Sequence, residues 1–199
     1  MTMRMFLAGV LGAIAMFLWS FVAHMVLPLG EVGIKEIPNE QAVLATMENN
    51  IGDNRGLYVF PGPGLGPNAS REEKHKSMEQ MAETYGKKAS GLLVYHSPGS
   101  RPFAFGKWLT VEFAIELLES FLAVFLLAQT RHVSFGARVV FVTVLGIAVA
   151  VWTNMSYWNW YGFPRRYTVA YMFTEVVAFI CAGLVIALVL KNKPFVDSR

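Results

Sequence analysis

The chain has 199 residues, of which 54% are hydrophobic and 16% charged, and its formal net charge is +3. This composition is more apolar than that of ordinary soluble domains and indicates an integral membrane protein. The basic residues are scattered rather than clustered, so the sequence carries no sign of nucleic-acid binding. A single cysteine excludes an intrachain disulfide and the usual zinc–thiolate sites.

Four apolar runs predict the membrane part. The first covers residues 6–27, for which a signal peptide is the competing interpretation. The run contains Trp19 and His24 and has no small-x-small cleavage site, which favours a retained transmembrane helix. Short breaks separate the later runs, as is typical of antiparallel neighbours in a four-helix bundle. The later runs cover residues 108–129, 138–156 and 168–190.

The polar segment between the first two runs predicts a small α/β insertion outside the bilayer. Asn39 is expected to cap one helix, and Ser70 with Glu73 forms a capping box that begins another. Residues 56–60 and 91–96 resemble short strands, and the crossover between them is long enough for parallel pairing. The predicted divisions are a first helix over residues 1–28, the insertion over 29–105, and helices 2–4 over 106–199.

Basic residues flanking the spans predict the orientation. The side shared by both termini carries more of them than the other side, so both termini are expected in the cytoplasm and residues 29–105 outside a plasma (inner) membrane. The side with the termini holds Arg4, Arg131, Arg138, Lys191, Lys193 and Arg199, and the short loop opposite holds Arg165 and Arg166.

Three glutamates interrupt the second apolar run. The spacing of Glu112, Glu116 and Glu119 is four and then three residues, which places them on one face of a helix. Ionisable groups inside a membrane span are costly and mark functional sites by default. The alternative is that they only hold helices together through hydrogen bonds. The coincidence of several acids favours a functional site.

Small or polar stripes on the other three predicted helices match this acidic face. Their polar members lie toward the outer ends of the helices, so the sequence predicts a cup open to the outside, with Glu119 deepest. Such a cluster holds protons or is compensated by a cation. The predicted ligand- or ion-binding residues are Glu112, Glu116, Glu119, Glu175, His24, Asn154, Tyr157 and Tyr171.

An aromatic segment lies between the last two runs. An interfacial belt accounts for most of it. Its density beside two arginines also predicts a lid over the cup or a contact for a lipid or quinone headgroup. The predicted lid or headgroup residues are Trp158, Trp160, Tyr161, Arg165 and Arg166.

A divalent metal is one option for the bound species. Oxygen-rich ligation favours Mn, Fe, Mg or Ca, and the metal ligands would be Glu112, Glu116, Glu175 and His24. The Glu-x-x-His motif of di-iron bundles is absent from the predicted spans. Haem is not expected with one well-placed histidine, and no nucleotide-binding fingerprint occurs.

The leading interpretation is an integral membrane protein with an outward-facing carboxylate site that binds a cation or protons. One alternative is a non-catalytic accessory or assembly subunit, with other membrane subunits as partners besides the bilayer, because two short strands are not stable alone. Another is a membrane enzyme that processes a lipid or quinone by acid–base chemistry. The sequence identifies no catalytic residues and leaves open whether the protein is an enzyme.

Overall fold

The structure is a computed structural model that describes residues 2–130 and 134–190. The chain divides into two units, one within Met1–Lys35 and Ala104–Arg199 and the other Glu36–Phe103. In chain order the elements are α1 (Met3–Phe21), α2 (Glu40–Ile51), β1 (Gly56–Phe60), α3 (Arg71–Tyr85), β2 (Gly91–Tyr95), α4 (Phe105–Ala128), α5 (Phe135–Tyr161) and α6 (Arg165–Leu190).

Three helices of the first unit are long and apolar enough to cross a membrane. They are Met3–Val26, Phe135–Tyr161 and Arg165–Leu190, where the first comprises α1 and the π-helical turn Val22–Val26. The 70% helix content and these three helices indicate a membrane protein. Helix α4 has 24 residues and a length of about 36 Å, comparable to a bilayer, but it also carries three glutamates.

The described helices of this unit pack in the spatial order α4, α1, α6, α5. Helices α4 and α5 contact each other at few positions, so the α1–α6 pair is central. Small residues permit the close approach, and the Ser120 hydroxyl on α4 donates to the Gly9 carbonyl on α1 at 2.8 Å. The apolar core lies where α1 and α5 begin and α4 and α6 end, and it includes Ala8, Val124, Leu127, Val142, Ala182 and Ile186.

The helix bounds are wider than the apolar runs predict, because polar and aromatic residues continue each helix past the apolar part. The orientation prediction depends mostly on Arg131, Lys191, Lys193 and Arg199, which lie outside the described residues. Arg138, counted as a flanking residue, is fully buried.

The second unit contains α2, α3 and a two-stranded sheet. The sheet is antiparallel, with Gly56 paired to Tyr95 and Phe60 to Gly91, so the parallel pairing was wrong. A long crossover permits parallel strands but does not impose them, because the chain can return to either end of the first strand. Within this unit the Tyr95 hydroxyl donates to the Gly52 carbonyl at 3.1 Å.

Of the two helix caps predicted in this unit, one is present in the structure and the other is not. The capping box of α3 is confirmed: the Glu73 amide donates to the Ser70 hydroxyl at 3.2 Å, and the Ser70 amide donates to the Glu73 carboxylate at 2.7 Å. Hydrogen bonds from Ser70 to the Glu73 carboxylate, above all the one from its backbone amide, lower the pKa of Glu73. Asn39 precedes α2, but its backbone is left-handed and its side chain makes no capping bond. Side-chain capping needs an extended backbone at that position.

Candidate functional site: a carboxylate-lined cavity

A cavity of about 270 Å³ lies among α1, α4 and α6 in the first unit, and the core residues Met16, Ala178 and Phe179 form part of its wall. We call it the carboxylate cavity. Helix α5 contributes Val149 to its wall. The spacing of the three α4 glutamates turns all of them toward it, and α6 adds a fourth. Its polar lining residues are Ser20, His24, Glu112, Glu116, Glu119, Tyr171, Thr174 and Glu175.

Glu116 is the most buried carboxyl group of the cavity, with 4% of its surface exposed. Its Oε1 accepts a hydrogen bond of 2.6 Å from the Ser20 hydroxyl on α1. Its Oε2 is buried and has no hydrogen-bond partner among the described residues. A buried polar atom without a partner is uncommon and marks a place for a proton, an ion or a ligand.

Glu175 on α6 is held by α5. Its Oε2 accepts a hydrogen bond of 2.6 Å from the Asn154 amide, which also donates to the Ala150 carbonyl one turn earlier at 3.0 Å. Asn154 is buried but does not line the carboxylate cavity, so it acts on that cavity through Glu175. The carboxyl group is therefore positioned by a neighbouring helix.

The turn that follows α1 forms one side of the carboxylate cavity. His24 lies in the π-helical turn Val22–Val26, and such turns occur frequently at functional sites. The chain then folds back so that Leu29 lines the cavity and Gly30 lies against the His24 ring. A Cβ atom at Gly30 would collide with His24 Nδ1, so a larger residue at this position would displace the His24 ring.

Aromatic rings form a continuous row that ends at the carboxylate cavity. Successive ring centroids are 5.3 Å apart for Tyr157 and Phe163, 5.6 Å for Phe163 and Tyr167, and 4.6 Å for Tyr167 and Tyr171. His24 meets Tyr171 edge to face at 6.4 Å. Tyr171 lines the cavity, whereas Tyr157 stands at the far end of the row and does not.

The short break expected between the last two apolar runs is mostly helix, so the prediction of a loop there was wrong, and the lid or headgroup role of its residues stays a prediction. Trp158, Trp160 and Tyr161 belong to the last turns of α5, and Arg165 and Arg166 begin α6. Only residues 162–164 connect the two helices. None of these five lid or headgroup residues lines the carboxylate cavity. Helix α5 continues through this aromatic segment because the segment has no glycine or proline before Gly162.

Three side chains that shape this site are not among the predicted binding residues. Ser20 bonds Glu116, Thr174 lines the carboxylate cavity, and Trp19 joins α1 to α6 by donating its ring N–H to the Thr174 carbonyl at 2.9 Å. A signal existed for Ser20, because it precedes His24 by four residues and so shares its helix face. Trp19 appears in the sequence only as one of several apolar residues.

The carboxylate cavity is lined by more acidic than basic side chains. Among the described residues that line it, His24 is the only one with a basic side chain. In the described part of the chain, no group of three His, Cys, Asp or Glu side chains is arranged to hold a metal ion. The metal set of Glu112, Glu116, Glu175 and His24 therefore stays a prediction.

Comparison of the chain with protein-family models, with curated proteins and with solved structures finds no match.

Proposed function

We propose that this membrane protein binds protons or a small cation in the carboxylate cavity. Helix α4 would cross the membrane beside the three apolar helices and complete a four-helix bundle. Both termini would lie in the cytoplasm, and the cavity would open toward the outer side, as the flanking basic residues favour. The observation that carries the proposal is the buried Oε2 of Glu116, which lacks a hydrogen-bond partner among the described residues and lies in a cavity lined by four glutamates.

The proposal follows from charge balance. Four ionised carboxylates around one small cavity repel each other strongly in a poorly polarisable surrounding. No lysine or arginine lines the cavity among the described residues. Neutralisation by protons or by a bound cation is therefore needed, and ionisable groups are kept in membrane spans mainly where they serve a function.

The test compares the stability of the wild type with that of a variant in which Glu112, Glu116, Glu119 and Glu175 are changed to Gln. Purified protein is unfolded thermally between acidic and alkaline pH, with and without Na⁺, Ca²⁺ or Mn²⁺. The wild type should lose stability as the pH rises and regain it with one cation. A cation at a hundred times its Kd stabilises by about 2.7 kcal/mol. The Gln variant should not gain stability from any cation, and its stability should fall less than that of the wild type as the pH rises.

A matched control changes Glu72 and Glu79 to Gln. Both residues lie on α3, outside the first unit, and the Glu79 side chain is 71% exposed. This control should keep the wild-type response. If the fourfold variant does not fold, Glu119→Gln alone replaces it. Identical profiles for wild type and Gln variants, together with unchanged metal content, would contradict the proposal.

A second candidate function is that of an accessory subunit in a larger membrane complex. An exposed apolar face of the sheet favours it, because Leu57 and its strand partner Val94 are 63% and 62% exposed. Extraction in a mild detergent followed by a mass measurement tests it. A stable, monodisperse monomer would contradict this function.

A further inference from the structure

A larger space adjoins the carboxylate cavity. It has about 730 Å³ and lies between the end of α1 and the beginning of α4. We call it the apolar groove, because most of its lining is apolar: Phe17, Phe21, Met25, Phe105, Trp108 and Leu109. Four residues line both the groove and the carboxylate cavity, namely Ser20, His24, Glu112 and Tyr171.

The shared residues make the two spaces continuous. A molecule whose apolar body occupies the groove can place its head among the carboxylates without crossing a helix. Phe21 and Met25 on the groove wall are 58% and 57% exposed, so the groove is open on the surface that faces lipid in the proposed bundle. This combination is suited to an amphiphile that enters from the bilayer.

The charge of the carboxylate cavity selects the head group. Four glutamates, without a lysine or arginine among the described lining residues, attract a cation and repel a phosphate or sulfate head. Trp108 and Tyr171 line the apolar groove, and aromatic rings attract ammonium groups. An ordinary anionic or zwitterionic phospholipid therefore fits poorly.

The unpartnered Oε2 of Glu116 further restricts which head groups fit the cavity. This oxygen belongs to a residue that is 4% exposed, and it needs a hydrogen-bond donor. A protonated amine has N–H donors, whereas a quaternary ammonium group has none. The Glu116 carboxyl group therefore favours a protonated amine over a quaternary ammonium group.

We propose that the protein binds a lipid-soluble amine, with its ammonium head among Glu112, Glu116 and Glu175 and its apolar body in the apolar groove. This inference rests on the proposed function, because the ammonium head would be the cation that neutralises the glutamates of the carboxylate cavity.

Equilibrium dialysis of radiolabelled decylamine tests the inference on the full chain in nanodiscs of phosphatidylcholine. Protein-free nanodiscs give the partition background. Decylamine should bind saturably at one site per protein. Decyltrimethylammonium, which lacks an N–H donor, should bind about tenfold more weakly, as expected for the loss of a charged hydrogen bond. Decanol should show only the partition background.

Variants separate the two halves of the site. Glu116→Gln should weaken decylamine binding about tenfold or more, because a charged hydrogen bond is lost. Glu112→Gln tests the same attraction without disturbing the buried Ser20 bond. Trp108→Ala should weaken binding about threefold to tenfold, through the lost aromatic contact. Val144→Ala, at a 57% exposed position on α5 outside both spaces, should leave binding unchanged.

Saturable binding of decanol, a Trp108→Ala variant with wild-type affinity, or decylamine binding equal to the partition background would each overturn the amine assignment. The stability test described above separates this failure from that of the proposed function. If the fourfold Gln variant still loses its cation response, only the amine assignment is wrong. If it retains the wild-type profile as well, both proposals are wrong.

Discussion

At the residue scale, the three glutamates of α4 differ in burial. Glu112 is exposed and Glu119 half-buried, while Glu116 is almost fully buried, and its one side-chain hydrogen bond among the described residues comes from the Ser20 hydroxyl. If its donor is removed, a buried acceptor is left without a hydrogen bond, because water cannot reach it. The folded protein is then less stable by the desolvation penalty of that acceptor. The Ser20–Glu116 pair is therefore the most sensitive contact of the carboxylate cavity.

Ser20→Ala tests this contact. It should lower the free energy of unfolding by about 1 to 3 kcal/mol, because both carboxyl oxygens of Glu116 would then be buried without a partner. Thermal unfolding in detergent measures the change. In a double-mutant cycle with Glu116→Leu, the two effects should not add, because the first substitution removes the partner of the second.

Ser120→Ala is the matched control. Its hydroxyl group is also buried, but it donates to the Gly9 carbonyl, which lies inside α1 and has a helical hydrogen bond of its own. The expected loss is about 1 kcal/mol or less. A larger loss for Ser120→Ala than for Ser20→Ala, or additive effects in the cycle, would show that the Glu116 contact has no special weight.

At the element scale, the start of α3 follows from local sequence. Ser70 and Glu73 exchange two hydrogen bonds that need only the first turn of the helix, so neighbouring residues suffice to form them. Asn39 shows the opposite case, because its left-handed backbone prevents the cap that its residue type favours.

The capping box predicts a local pH dependence. Hydrogen bonds lower the pKa of Glu73 from its ordinary value of 4.5. The stabilisation is therefore present above pH 4.5 and is lost as the pH falls through the lower pKa of the folded state. The hydrogen-exchange protection factor of the Ser70 amide should fall in that range.

Glu73→Gln should abolish this pH dependence, because a neutral glutamine still accepts from the Ser70 amide. Glu72→Gln, at a neighbouring position outside the capping box, should keep it. Protection of the Ser70 amide that is constant through the acidic range in the wild type would contradict the prediction.

At the scale of the whole molecule, the packing of α5 against α6 depends on a missing side chain. A Cβ atom at Gly146 would collide with the Cβ of Phe179, which is buried in the core. Neither atom can move without its backbone, so the helices would have to separate. Helix α5 also holds Asn154, which positions Glu175, so the separation would reach the carboxylate cavity.

Gly146→Ala should therefore destabilise the protein by about 1 to 3 kcal/mol, as overpacking of a membrane or soluble core does. Gly136→Ala is the control, because no atom of the described residues outside its own helix lies within 4 Å of its added methyl group and alanine favours a helix. Thermal unfolding of both variants decides the matter. Equal stability of the two would show that the α5–α6 contact adapts at no cost.

Much of the fold could be predicted from local patterns. Apolar runs located the helices, and the spacing of Glu112, Glu116 and Glu119 predicted their common face, because both depend on residues less than two turns apart. The helix ends were less predictable. The sequence around the end of α5 is compatible with a loop or with a helix, and only the structure shows that it is helical for Trp158, Trp160 and Tyr161.

The sequence by itself determined the membrane class, the positions of the long apolar helices and the presence of acids on one helix face. Composition and periodicity are sufficient for these properties. The tertiary structure alone decided that Ser20 bonds Glu116, that Asn154 bonds Glu175, that the strands are antiparallel and that an apolar groove adjoins the carboxylate cavity. Each of these depends on the direction and spacing of elements distant in the chain, and local residue patterns do not encode that geometry.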